Sequence, residues 1–154
     1  MEKEALKRIF EFIEEKEGHN APFMWKLKND ISFTKEELNI KGDLDLSISK
    51  ITSLPEGLKV GGNLYLRFSS ITSLPEGLEV EGNLRLLYTG IRELPEGLIV
   101  GRDLEIPYSN MTSLPKGLKV YHNLYINSSK LRDFSNEELR EMIKPGFIKG
   151  VIFR

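Results

Sequence analysis

The amino-acid sequence predicts an α+β repeat solenoid, in which similar segments stack side by side around one continuous core. The first observation is a 20-residue repeat, because the stretch Ile51 to Ser70 returns three times without an insertion, up to Lys130. The second is that Leu64 and Leu66 alternate with polar or aromatic neighbours, as in a short strand. Since one copy cannot bury its apolar side alone, we expect the copies to stack into a parallel β-sheet of about five to six short strands.

Each copy keeps the same apolar positions and the same two corners. In the copy that begins the repeat, the apolar positions are Ile51, Leu54, Leu58, Val60, Leu64 and Leu66. Pro55 has no N–H to offer a strand ladder, so the Leu-Pro-Glu-Gly-Leu arm is not expected to be a strand. Gly57 suits a turn with positive φ. Asn63 suits the second corner, because its side chain can bond nearby backbone.

This pattern resembles the leucine-rich repeat, and within that family the short bacterial and phage type built on Leu-Pro-Glu-Gly-Leu. The resemblance covers roughly residues 40 to 134 and matches several columns four times in register. It implies a non-enzymatic binding scaffold that uses its strand face for recognition. One column departs from the family, which usually has Asn there, and we expect its hydroxyls to point inward and hold backbone groups at the turn. That column is Ser49, Ser69, Thr89, Ser109 and Ser129.

The chain is predicted to be one domain, 1–154, with a helical cap at each end. Residues 1–30 form an N-terminal helical cap and connector, 31–134 the solenoid, and 135–154 a C-terminal cap of helix and strand. The first helix is expected over residues 2–17, with a stop at Gly18. Its stripe consists of Leu6, Ile9, Phe10 and Ile13. The alternative reading is a helix that binds a partner or a second copy. Capping boxes are expected at Thr34 and Ser135.

Composition argues against several classes of protein. The net charge is −1, so we do not expect general nucleic-acid binding. There is no cysteine, and therefore no disulfide framework or thiolate metal site. The start of the chain lacks the apolar run of a signal peptide, and we expect neither a membrane span nor membrane binding. These features suit a cytoplasmic protein, which would act in the host cytoplasm if it were encoded by a phage.

The candidate binding surface comes from the side chains that point out between the inward leucines. These outward columns vary between copies, and they are rich in Tyr and Arg, residue types enriched at binding hot spots. Pro107 is placed in a strand, where it would remove a ladder bond and bend the face. The candidate binding residues are Tyr65, Arg67, Phe68, Arg85, Tyr88, Glu105, Tyr108 and Tyr125. Alternatively, cross-strand aromatic pairs on this face only stabilise the stack.

Two functions remain open at this point. The first is recognition of a protein partner, by a monomer or a homodimer, and the resemblance to phage-encoded proteins suggests an inhibitor of a host defence protein. The alternative is sequestration of a small anionic ligand such as a nucleotide immune signal, with Arg67 and Arg85 on the phosphate. An enzyme is not expected, since neither His19 nor His122 has a recognisable catalytic partner set. No cofactor or metal is predicted.

Overall fold

The structure is a computed structural model that describes residues 2–17 and 21–154 of the chain. Its contacts divide the chain into two compact units, Met1–Glu37 and Leu38–Arg154. The expectations for Gly18 and His19 lie outside the described residues. In the described residues, 2–17 and 21–154, no helix is both long enough and apolar enough to cross a membrane.

Two helices form the first unit. Helix α1 spans Glu2–Glu17, as predicted. Helix α2 spans Ala21–Lys28, within the segment that the sequence predicts as a connector, where no helix was predicted. Pro22 lies in the first helical turn of α2, where its missing N–H breaks no intrahelical bond. The two helices meet through Phe10 and Trp25, whose ring centroids lie 5.5 Å apart at 71°.

The predicted capping box at Thr34 is present, although residues 35–38 form turns rather than a helix. The Thr34 N–H donates to Glu37 Oε2 at 2.8 Å, and the Glu37 N–H donates to Thr34 Oγ1 at 3.3 Å. Lys26 Nζ lies 2.6 Å from Glu37 Oε1. Burial acts to raise the pKa of Glu37, but the hydrogen bonds from Lys26 and Thr34 outweigh it, and the pKa falls below its ordinary value. One carboxylate thus ties α2 to the segment that follows it.

The second unit is a parallel β-solenoid in which every coil contributes one two-residue strand to each of two sheets. The first sheet consists of β1 (Asn39–Ile40), β3 (Lys59–Val60), β5 (Glu79–Val80), β7 (Ile99–Val100), β9 (Lys119–Val120) and β11 (Phe147–Ile148). The second consists of β2 (Leu44–Asp45), β4 (Leu64–Tyr65), β6 (Leu84–Arg85), β8 (Leu104–Glu105), β10 (Leu124–Tyr125) and β12 (Ile152–Phe153).

The coils stack in register, so equivalent residues of successive repeats lie side by side. Leu64 pairs with Leu84 in parallel strands, and Leu84 pairs in turn with Leu104. All three leucines have an exposure of 0%. The repeated apolar columns therefore form the continuous core that the 20-residue period predicts.

The structure has two sheets where the sequence predicted one. The Leu-x-Leu alternation marks only the second sheet. In the first sheet each strand shows a single inward residue, such as Val60, which is 1% exposed, preceded by an outward one such as Lys59. A two-residue strand has no period that could be recognised. Its backbone bonds define it instead, for example Lys59 N–H to Leu38 C=O at 2.8 Å.

A ladder of Asn and Asp side chains joins the coils at the corner between the two sheets. It consists of Asp43, Asn63, Asn83, Asp103 and Asn123. From Asp43 to Asp103, each Oδ1 accepts the backbone N–H of the equivalent residue in the next coil, at 2.6 to 3.0 Å. The last, Asn123, accepts from Val151 N–H at 2.9 Å. The corner therefore supplies an acceptor that links neighbouring coils.

The Ser/Thr column does not hold backbone groups as the sequence suggested. Only Thr89 does so among the described residues, with Oγ1 donating to Leu86 C=O at 3.0 Å. The other four hydroxyls in the column are buried and have no hydrogen-bond partner in the described protein: Ser49, Ser69, Ser109 and Ser129. The backbone closes this turn by itself, as in the bond from Ser69 N–H to Leu66 C=O at 3.1 Å.

The C-terminal segment adds one strand to each sheet through β11 and β12. Between β10 and β11 lie a short 3-10 helix, Lys130–Asp133, and helix α3, Asn136–Met142. The predicted capping box is present, with Ser135 and Glu138 bonded reciprocally. Backbone and side-chain hydrogen bonds from Ser135 lower the pKa of Glu138. Arg140 donates from Nη1 to Ile148 C=O and from Nη2 to Gly150 C=O, which covers acceptors of the last coil.

Candidate binding surface

The eight predicted binding residues fall into two parallel rows with Arg67 between them. The strand row consists of the outward residues of the second sheet: Asp45, Tyr65, Arg85, Glu105, Tyr125 and Phe153. The turn row consists of the third residue of the turn that follows each of these strands through β10: Ile48, Phe68, Tyr88, Tyr108 and Ser128. Tyr65, Arg85 and Tyr125 thus belong to the strand row, and Tyr88 and Tyr108 belong to the turn row.

The strand row is occupied largely by contacts within the molecule. Arg85 Nε lies 2.8 Å from Glu105 Oε1, and the guanidinium of Arg85 lies 5.4 Å from the ring centroid of Tyr65. Tyr125 stacks on Phe153, with centroids 4.7 Å apart at 12°. These neighbouring-strand pairs are of the kind that stabilise a sheet. Arg85 is consequently half-buried and already paired with a carboxylate.

The turn row has an unusual backbone conformation. Phe68, Tyr88 and Tyr108 have φ values of 56°, 53° and 55°, and Ile48 has 57°. The turns are closed by hydrogen bonds such as Thr89 N–H to Leu86 C=O at 3.3 Å, which makes the aromatic residue the third of four. A positive φ at this position favours Gly or Asn. For bulky and β-branched residues it is a true outlier.

The aromatic side chains of the turn row stack on one another and remain exposed. The centroids of Phe68 and Tyr88 lie 5.1 Å apart at 25°, and those of Tyr88 and Tyr108 lie 5.2 Å apart at 11°. Their exposures are 54–55%, and that of Ile48 is 81%. Because neighbouring ring faces cover each other, the row presents ring edges and the two phenol groups to solvent.

Arg67 precedes Phe68 in its turn and is exposed. Its guanidinium lies 6.0 Å from the ring centroid of Tyr65, at the outer limit of a cation–π contact. The ion pairs of the described residues do not include Arg67. Of the two arginines that the sequence singled out, Arg67 is therefore the one whose charge is uncompensated.

The placement of Pro107 in a strand is wrong. Strand β8 ends at Glu105, and Pro107 is the second residue of the turn that continues to Tyr108. Proline suits that position because its φ is already fixed near the required value. The Tyr108 N–H still donates to Asn127 C=O at 2.9 Å, so the coils remain bonded past the proline.

Four members of these rows are not among the predicted binding residues: Asp45, Ile48, Ser128 and Phe153. Ile48 belongs to the degenerate first copy, and its aromatic equivalents begin only at Phe68. Phe153 is 28 residues from its partner Tyr125 rather than 20, because the C-terminal helices intervene. Only the backbone pairing of β10 with β12 reveals that Phe153 continues the strand row.

The first sheet also carries charged side chains on its outer surface. Lys59 Nζ lies 2.9 Å from Glu79 Oε1, beside a shallow open depression that Asn39, Lys41 and Glu81 also line. At the other end, Lys149 Nζ lies 4.5 Å from the ring centroid of Tyr121. In the described parts of the chain, no group of three or more His, Asp or Glu side chains is arranged to hold a metal ion.

Fold and surface together define a repeat protein of the parallel β-solenoid class. Comparisons of the chain with protein-family models, with curated proteins and with solved structures found no match.

Proposed function

We propose that this chain is a non-enzymatic binding scaffold that recognises a protein partner through the turn row and the neighbouring strand row. The observation that carries this proposal is a contrast between two corners of the same coil. The Leu-Pro-Glu-Gly-Leu corner also requires a positive φ at the third residue of a turn, and it uses Gly57, Gly77, Gly97 and Gly117, with φ from 70° to 73°. The other corner uses Phe68, Tyr88 and Tyr108.

Stability alone does not account for the aromatic corner. Holding three bulky residues in the left-handed region costs roughly 3–6 kcal/mol, at 1–2 kcal/mol each. Two stacked aromatic pairs offset only about 1–3 kcal/mol of this strain. Glycine would satisfy the turn without that strain, as it does at the opposite corner. Strained residues that stay exposed are typical of functional surfaces.

A triple variant separates binding from folding. Phe68→Asn, Tyr88→Asn and Tyr108→Asn together remove the rings and place at each turn a residue that tolerates positive φ. The matched control is Tyr121→Asn, which removes an aromatic ring that is 43% exposed on the first sheet. Wild type, triple variant and control are immobilised in parallel and exposed to a lysate of the source organism, and the retained proteins are identified by mass.

The proposal expects a protein retained by wild type and by Tyr121→Asn, but lost from the triple variant. Melting curves by circular dichroism should show the triple variant folded. The same set of proteins on all three columns would contradict the proposal.

The proposal also includes the type of repeat, the capping role of the C-terminal helix, the cytoplasmic site of action and the phage origin that the sequence suggested. The Leu-Pro-Glu-Gly-Leu motif supports a leucine-rich-repeat type of solenoid. The burial of Leu139 and Ile143, both 0% exposed, supports a capping role for the C-terminal helix. A cytoplasmic site of action and a phage-encoded inhibitor of host defence rest on composition and resemblance alone. Among the described residues, the contacts of the two rows do not favour nucleotide sequestration, because Arg85 is paired with Glu105 and the aromatic faces cover one another.

A further inference from the structure

Charge is distributed unevenly around each coil, and the turn row lies on the positive side. The four-residue turns that carry the row, each taken with the residue that follows it, span 46–50, 66–70, 86–90, 106–110 and 126–130. Their charged residues are Lys50, Arg67 and Lys130, with no Asp or Glu among them. All three are exposed. None of the three forms an ion pair with a carboxylate in the described part of the chain.

The opposite corner has the reverse charge. Its exposed turn residues are Glu56, Glu76 and Glu96, with Lys116 in the fourth copy. In the strand row beside the turn row, Arg85 and Glu105 neutralise each other at 2.8 Å, and Asp45 at the first coil leaves a net charge of −1 against the three cations. At physiological salt, charges act over about 8 Å. A partner seated on the turn row therefore meets uncompensated cations next to apolar rings.

The orientation of the rings favours the same kind of partner. Aromatic ring edges are electropositive, and here they face solvent while the faces are used in stacking. The phenol groups of Tyr88 and Tyr108 can donate hydrogen bonds to carboxylates. Nucleobases would need open ring faces on which to stack, and the stacked row offers few of them.

We infer that the turn row binds an acidic segment of a protein partner, in which carboxylates flank apolar or aromatic side chains. This inference rests on the proposed function and adds the chemistry of the partner. The apolar side chains contact the edges of Phe68, Tyr88 and Tyr108, and the carboxylates meet Arg67 together with Lys50 or Lys130. The row from Ile48 to Ser128 crosses four coil steps, about 19 Å at 4.8 Å per step, which suits an extended segment.

The test uses a random-peptide display library selected on the immobilised full chain. Selected peptides are then measured against two variants with equal charge change. Arg67→Glu/Lys130→Glu reverses the charge beside the row. Lys41→Glu/Lys116→Glu reverses it elsewhere, and at position 116 it restores the residue found in the three preceding copies. The Asn triple variant and a single-stranded oligothymidine competitor complete the set.

We expect selected peptides rich in Asp or Glu together with apolar or aromatic residues. Their affinity should fall about tenfold or more in Arg67→Glu/Lys130→Glu, change little in the control pair, and weaken as salt increases. Three results would overturn the inference: no enrichment, selected peptides without carboxylates, or displacement by oligothymidine. If the triple variant loses peptides that the charge reversal still binds, the acidic-partner inference fails while the proposed surface stands.

Discussion

Two single substitutions, at neighbouring columns of the solenoid, measure which column holds the coils together. Asn83→Ala removes the Oδ1 that accepts Asp103 N–H at 3.0 Å, and leaves that half-buried donor without its acceptor. Leaving a buried donor unpaired costs about 1–3 kcal/mol. Since the Asp103 backbone is only partly buried, we expect a loss of about 1–2 kcal/mol in the free energy of unfolding. Ser129→Ala removes a hydroxyl with no partner on a residue that is 2% exposed.

Ser129→Ala should therefore be neutral or slightly stabilising, within about 0.5 kcal/mol of wild type. A third variant, Asn83→Asp, keeps the acceptor but places a carboxylate one coil away from Asp103. The resulting repulsion amounts to about 1 kcal/mol or less in a water-like dielectric, and added salt should reduce it.

The assay is urea unfolding followed by circular dichroism, with Asn83→Asp repeated at high salt. The expected order of stability is Ser129→Ala, then Asn83→Asp, then Asn83→Ala. If Ser129→Ala lost as much stability as Asn83→Ala, the hydroxyl column would be a true ladder and the assignment of the Asx corner as the link between coils would be refuted.

Three further outcomes follow from the contacts. Arg140→Ala should uncover acceptors of the last coil and promote association of the folded chain, measured by light scattering, whereas the exposed Glu137→Ala should not. The pKa of Glu37 is lower in the folded chain than in the unfolded chain. The stabilisation that this carboxylate provides is therefore fully present above its pKa in the unfolded chain, and it is lost as the pH falls through its pKa in the folded chain. Lys26→Met should weaken this acid dependence in melting curves. Leu66→Asp should unfold the chain, as circular dichroism would show, since it places an unpaired carboxylate at a site with 0% exposure.

The sequence predicts the stacking of the coils well because stacking depends on columns that repeat. Leu64 and its equivalents are apolar in every copy, and a 20-residue period leaves no other way to bury them. The second sheet was not predictable in the same way. A strand such as Lys59–Val60 contributes one inward residue, and one residue has no period. The side chains that link neighbouring coils lie in the Asn63 column and not in the Ser69 column. The sequence did not distinguish the two columns, because both Asn and Ser are residue types that can bond backbone.

The turn row shows why the binding surface was only partly predictable. Period-2 alternation identifies Tyr65 as outward, but it does not reveal that the strand ends there and that a turn with positive φ follows. Bulky residues at positions 68, 88 and 108 give no sign of a left-handed turn, since sequence rules reserve that conformation for Gly and Asn. Pro107 was the available signal, because a proline in the second position of a turn fits better than one in a strand. Once the turn is recognised, the same rules make these three bulky residues the strongest indication of function. The glycines at the opposite corner show that the chain uses glycine where a turn with positive φ has a structural role alone.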